Sequence, residues 1–163
     1  MAKGLGAERS LKLVDPAHMH LTLVFLGEIG EAAVPSIVTA LSGSIDARPF
    51  AATFQNVGVF PPRGAPRVLW LGVEDGADDI VEIQRQVAGR LEPLGVVLDR
   101  RPFHPHLTLA RWRTSHPADR QRARSAQTGT AIARISVDHV TLYESRLSSA
   151  GPTYTALTRA NLT

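Results

Sequence analysis

The sequence predicts an α+β fold of two antiparallel β-sheet lobes with flanking helices. The lobes would be related by a pseudo-two-fold axis around a central cleft. Strand-like and helix-like stretches mix without strict alternation, which favours antiparallel sheets over a parallel α/β arrangement. A six-residue pattern also occurs twice, about half a chain apart: His-Met-His-Leu-Thr-Leu at 18–23 and His-Pro-His-Leu-Thr-Leu at 104–109. Two copies are too few for a solenoid and suit two similar lobes. At 163 residues and 44% apolar composition, the chain reads as one bilobal domain over 1–163 with a real core.

The elements follow in order. Residues 20–26 are rich in Leu, Val and Phe and end at Gly27, the pattern of a strand. Residues 31–43 read as a helix, with Pro35 tolerated in its first turn. Residues 50–60 and 67–73 read as strands around the turn Pro61-Pro62-Arg63-Gly64. A clearer helix covers 78–92, with Ile80, Ile83, Val87 and Leu91 on one face and Asp78 as its cap. Residues 95–99 and 106–112 read as strands, and 117–127 as an arginine-bearing helix. Residues 132–143 and 153–159 close the chain as strands.

Composition removes several function classes. Cysteine is absent, which excludes disulfides, thiolate nucleophiles and iron–sulfur clusters. No run of eighteen apolar residues occurs, and the segment Met1–Ser10 is polar, so a cytoplasmic location away from membranes is expected. Lys3 and Lys12 are the only lysines; the other basic residues are arginines. Arg100, Arg101, Arg111, Arg113, Arg120, Arg122 and Arg124 crowd one stretch, against Asp99 and Asp119. The planar guanidinium fork suits phosphate oxygens, although such residues also serve simply to solvate a surface.

The repeated pattern carries the chemistry. In a strand, residues i and i+2 share a face, so His20 projects with Thr22, and His106 with Thr108. Leu21, Leu23 and Phe25 would face the other way, as would Leu107 and Leu109. Packing has no reason to ask twice for His-Leu-Thr-Leu. An unperturbed imidazole titrates near pH 6.5, so one of a pair is neutral while the other is protonated near neutral pH. Phosphodiester cleavage needs one group to take a proton and one to give it. Threonine hydroxyls suit the non-bridging oxygens, where charge gathers. Arg111 adds a cation three residues after Thr108, but in an ideal strand it points away from that face and needs a twist or the strand end to reach it.

These residues resemble the paired His-x-Thr motifs of the two-histidine phosphoesterase superfamily. His20 to Glu28 and Pro105 to Arg111 resemble the two motifs of the RNA 2′,3′-cyclic 3′-phosphodiesterases, long called 2′-5′ RNA ligases. Leu142 to Leu147 with Gly151 to Tyr154 resembles that family's C-terminal strand pair. The resemblance implies a bilobal fold with the site in the cleft, and hydrolysis of a 2′,3′-cyclic phosphate to a 2′-phosphate without metal or other cofactor. It implies that His20 and His106 are catalytic and that Thr22 and Thr108 bind phosphate. Arg111 and Phe25 also stand at motif positions; Arg111 is assigned to phosphate, and Phe25, by its parity, to the core. His106 is assigned as base and His20 as acid, with the reverse order open. The partner implied is RNA with a 2′,3′-cyclic phosphate end, such as a tRNA fragment, or a small cyclic nucleotide. A monomer is the default. The family's usual N-terminal strand before the first motif is not evident in the residues preceding His20, so it is missing or replaced.

Two other readings stand beside this one. His18 with His20 and His104 with His106 each spell His-x-His, which would offer zinc four imidazoles; no carboxylate adjoins either motif in sequence. A non-catalytic RNA-binding module would use the arginines with Trp70, Phe103, Trp112 and Tyr143, but no RRM or KH motif occurs. Trp112, next to Arg111, is a candidate for base stacking or for packing. His116 and His139 are read as structural or solvated.

Overall fold

A computed structural model describes residues 10–99, 101–126, 130–149 and 151–163. Arg100, the polar stretch 1–9 and the predicted end of the arginine-bearing helix at 127 lie outside the described residues. The chain divides into two compact units, each assembled from three segments. The first comprises Met1–Thr22, Ala52–Ala77 and His104–Ile135, and the second Leu23–Ala51, Asp78–Phe103 and Ser136–Thr163. Both copies of the His-x-Thr pattern belong to the first unit.

The first unit is built on a sheet of β1 (Leu11–Leu13), β2 (Phe50–Phe60), β3 (Val68–Val73), β4 (His106–Trp112) and β5 (Ala133–Val137), in the order β1-β4-β3-β2-β5. β1 pairs antiparallel with β4, β4 with β3, and β3 with β2. One face is apolar. Ala52, Phe54, Leu71 and Ala110 are each at most 5% exposed, and this face sets the register because a one-residue slip would turn them to water.

Two bulges interrupt the ladders. In β2, Asn56 is the extra residue between the pairs Gln55–Gly72 and Val57–Leu71, and its φ of 63° is a conformation that asparagine tolerates better than most residues. In β4, Leu109 is extra between Thr108, which faces Trp70, and Ala110, which faces Leu69. Trp70 lies flat across its neighbour strand: a Cβ on Gly58 would stand 2.1 Å from Trp70 Cζ2. Only glycine fits beneath that indole.

A helix, α3 (Pro117–Ser125), is tied to the β2–β3 turn. The Arg120 guanidinium donates to the carbonyls of Pro61 at 2.7 Å and Gly64 at 2.8 Å, and the Ser115 hydroxyl donates to the Pro66 carbonyl. At the start of α3, the buried Asp119 carboxylate accepts from the His116 backbone N–H at 2.8 Å, so His116 is an N-cap. Arg122 pairs with the same Asp119. These basic residues are structural.

The second unit packs α1 (Val34–Leu41) and α2 (Ala77–Leu91) with the hairpin β6 (His139–Ser148) and β7 (Gly151–Asn161). Its core joins Ile37, Leu41, Ile45, Ile83, Val87, Leu91, Ala160 and Leu162. The periodic face of α2 lies where its pattern predicts, with Ile80, Ile83, Val87 and Leu91 buried. Arg90 ties α2 to the Gly43 and Ser44 carbonyls, and Arg101 pairs with Asp99. His139 is bonded to the Asp138 side chain.

Several predicted elements differ. The strand over 20–26 is reduced to one bridge, Leu21 with Leu107. Beyond Thr22, the side chains of Leu23, Val24 and Leu26 pack on the second unit's core, so no neighbouring strand remains to pair them. Phe25, expected inside by parity, is 80% exposed, because parity has no meaning once the ladder ends. Residues 95–99 keep strand-like alternation, with Val96 and Leu98 on the core and Val97 outward, but form no ladder. Asp78 lies inside the first turn of α2, which begins at Ala77, rather than at its cap. The predicted helix over 31–43 begins as a 3₁₀ turn, Glu31–Ala33. The strand over 132–143 breaks at Asp138 into β5 and β6. Leu11–Leu13 form a strand where none was evident before His20; Leu-Lys-Leu has the right alternation but is too short to stand out.

Two stability outcomes follow. Gly58→Ala should cost about 1–3 kcal/mol by overpacking against Trp70. Ile83→Ala, which empties a site 1% exposed, should cost about 2–5 kcal/mol. Urea midpoints at constant m-value measure both.

Candidate active site on the first sheet

Parity through the bulge decides which side chains share a face. Paired residues lie on one face of a sheet, and successive residues alternate. Thr108 pairs with Trp70, and His106 with Gly72, so both motif residues point away from the apolar face that holds Leu71 and Ala110. Without a bulge, Arg111 would point the other way. The extra residue at Leu109 shifts the parity, and Arg111 pairs with Val68 on the His106–Thr108 face. The bulge supplies the twist that Arg111 needed. Trp112 pairs with Leu11 on the opposite face. It is half-buried there, away from the motif side chains, and its register favours packing over base stacking.

The first motif joins along the free edge of β4. The bridge between Leu21 and Leu107 is antiparallel. Continued by one residue each way, it sets His20 across from Thr108 and Thr22 across from His106. The bridging leucines are half-buried, so the four flanking side chains occupy the other face. Cβ atoms directly opposite in such pairs stand about 4.5–5.5 Å apart. In that register each histidine falls opposite the threonine of the other copy.

The imidazoles are held identically. His20 Nδ1 donates to the His18 carbonyl at 2.7 Å, and His106 Nδ1 donates to the His104 carbonyl at 2.7 Å. A carbonyl only accepts, so Nδ1 carries the proton in both rings and Nε2 is left as the other ring nitrogen. In each copy the residue two before the motif histidine contributes its backbone carbonyl. Among the described residues, no group of three or more His, Asp and Glu is placed to hold a metal ion.

Aromatic rings support His106. Phe60 meets it edge-on at 5.0 Å between centroids, and Trp70 lies 6.0 Å away. His104 stacks nearly parallel to His106 at 6.4 Å and meets Trp70 edge-on at 4.8 Å. His104 keeps an exposed side, but partial burial against these rings, and secondarily the His106 imidazole, push its pKa below the usual histidine value. Phe60 and Trp70 were not singled out for this site by sequence, because only the β2–β3–β4 register brings them to it.

A concavity of about 320 Å³ lies elsewhere. It belongs to the second unit, is lined by Glu28, Ile29, Ala33, Ile37, Leu94 and Val96, and contains no motif residue. No helix among the described residues is long and apolar enough to cross a membrane.

Comparison with known proteins bears on this geometry. Residues 7–148 match the 2′-5′ RNA ligase superfamily. An RNA 2′,3′-cyclic phosphodiesterase of Archaeoglobus fulgidus is 34% identical over 154 residues, covering 93% of this chain and 84% of its own. One of Thermus thermophilus is 36% identical over 163 residues, covering 94% and 77%. Among solved structures, a Thermus thermophilus protein superposes with a TM-score of 0.77 at 30% identity, covering 94% of this chain and 82% of its own. Escherichia coli LigT complexed with 3′-AMP superposes with a TM-score of 0.72 at 28% identity, covering 94% and 82%. With the paired motifs on one face and these likenesses along nearly the whole chain, the protein belongs to the 2′-5′ RNA ligase superfamily and groups there with the RNA 2′,3′-cyclic phosphodiesterases.

Proposed function

We propose that the protein hydrolyses the 2′,3′-cyclic phosphate end of RNA to a 2′-phosphate, with His20 and His106 as its acid and base and no metal. The carrying observation is the antiparallel bridge between Leu21 and Leu107, with each flanking histidine tied through Nδ1 to a backbone carbonyl. That arrangement offers two Nε2 atoms and two hydroxyls to a single phosphoryl group. The curated relatives are named for this reaction.

In this reading, His106 takes the proton from the attacking water as its oxygen bonds to phosphorus. The bond from phosphorus to the 3′ oxygen breaks, and His20 protonates that oxygen. The Thr22 and Thr108 hydroxyls donate to the non-bridging oxygens, and Arg111 balances their charge. The edge of Phe60 restrains the His106 ring, so less ordering is left to the reaction itself. Ligation to a 2′-5′ bond is the same step with an RNA 5′-hydroxyl in place of water as the nucleophile. The reading takes the chain as a cytoplasmic monomer acting on tRNA fragments, other RNA ends or small cyclic nucleotides.

The test is turnover of an RNA oligonucleotide with a 2′,3′-cyclic phosphate end in excess chelator, with the phosphate isomers resolved. His20→Ala and His106→Ala should each lower kcat by roughly 10²–10⁴-fold. A 3′-phosphate product, or full activity in both variants, would overturn the reading; activity lost to chelator and restored by zinc would favour a metal site. The order of the two histidines has its own check. A diester with a p-nitrophenolate leaving group needs no acid, so it should restore turnover to His20→Ala and not to His106→Ala; the opposite pattern reverses the roles.

A further inference from the structure

Lys12 stands across from Arg111 in the β1–β4 pair. Paired residues share a face, so Lys12 lies on the face of His106, Thr108 and Arg111, while Leu11 and Leu13 turn to the other side with Trp112 and Ala110. β1 and the Leu21 segment both pair with β4 along the edge not taken by β3. They act as one edge strand interrupted by the turn at Pro16–His18.

The face therefore carries three cross-strand rungs in line. Lys12 stands across from Arg111, and the register of the Leu21–Leu107 bridge, continued one residue each way, sets Thr22 across from His106 and His20 across from Thr108. The first two rungs hold the proton-transfer groups and hydroxyls. The third is wholly cationic. Both side chains are exposed, and among the described residues neither has an ion-pair partner. Arg101 and Arg122, by contrast, are paired with Asp99 and Asp119, and Arg120 is bonded to carbonyls. Two unpaired cations directly opposite repel each other, so the pair costs stability unless an anion sits over it.

The third rung lies three residues of bulged strand beyond Thr108, roughly 7–10 Å away at about 3.3 Å per residue. One phosphoryl group held at the first two rungs does not span that distance, but one further nucleotide of extended backbone does. We infer that Lys12, together with Arg111, binds the backbone phosphate preceding the terminal cyclic phosphate, and so selects RNA oligonucleotide ends over free cyclic mononucleotides. The long Arg111 side chain reaches back from this rung to the terminal phosphoryl group as well, whereas Lys12 serves the preceding phosphate. This inference rests on the hydrolytic reading of the same face and adds its substrate class.

The experiment compares kcat and KM for a short oligonucleotide ending in a 2′,3′-cyclic phosphate with those for a nucleoside 2′,3′-cyclic phosphate. Lys12→Ala should lower the oligonucleotide-to-mononucleotide ratio of kcat/KM roughly 3–10-fold, chiefly through KM of the oligonucleotide. The salt dependence of that KM should become shallower by about 0.7 in log–log slope. Lys12→Arg should restore the ratio, and Arg85→Ala, which removes one charge from the second unit, should leave it alone. An unchanged ratio, or an equal loss with both substrates, overturns the inference. If the parent protein turns over neither substrate, the hydrolytic reading falls. Fluorescence anisotropy with a labelled oligonucleotide bearing a terminal 2′-phosphate then still decides the role of Lys12, because equal affinity of parent and Lys12→Ala overturns it.

Discussion

The antiparallel bridge between Leu21 and Leu107 is the contact on which the site depends. It joins two copies of one short pattern in opposite directions, so its register sets each histidine opposite the threonine of the other copy. A parallel pairing in the same register would set histidine against histidine and threonine against threonine, and two imidazolium groups side by side would repel. The leucines hold the bridge from the apolar side, where Leu71 and Ala110 are buried. The pattern needs leucine on one side as much as it needs histidine and threonine on the other.

The bulge at Leu109 extends that logic. A regular β4 would divide its polar residues between two faces, with Thr108 on one and Arg111 on the other. One extra residue brings both to the same face and moves Trp112 to the opposite one. The sheet also provides a firm floor. Trp70 lies over Gly58, and with Phe60 and His104 it surrounds the side of His106. The second unit, by contrast, is organised around a helix–hairpin core.

The repeated His-Leu-Thr-Leu was legible without coordinates because chemistry, unlike packing, rarely requires the same polar residues twice. The helix over α2 was legible because its four buried residues recur at helical spacing. The strand over 20–26 was misread for a definite reason. Apolar residues there are needed by a core, but alternation cannot reveal whether a neighbouring strand supplies hydrogen bonds, and past Thr22 none does. Phe25 followed that error outward. The arginine-rich stretch likewise looked like one surface, whereas Arg101, Arg120 and Arg122 are engaged with carboxylates and carbonyls.

By itself, then, the sequence determined the fold class and the family, because these are properties of local pattern and residue chemistry. Only the tertiary structure decided that both motifs meet on one sheet, that Arg111 and Lys12 share its polar face, that Trp112 does not, and that Phe60 and Trp70 flank His106. Each of those outcomes is a matter of register. Register is set by pairing between segments far apart in the chain, and a single bulged residue reverses it without leaving a mark in the local composition.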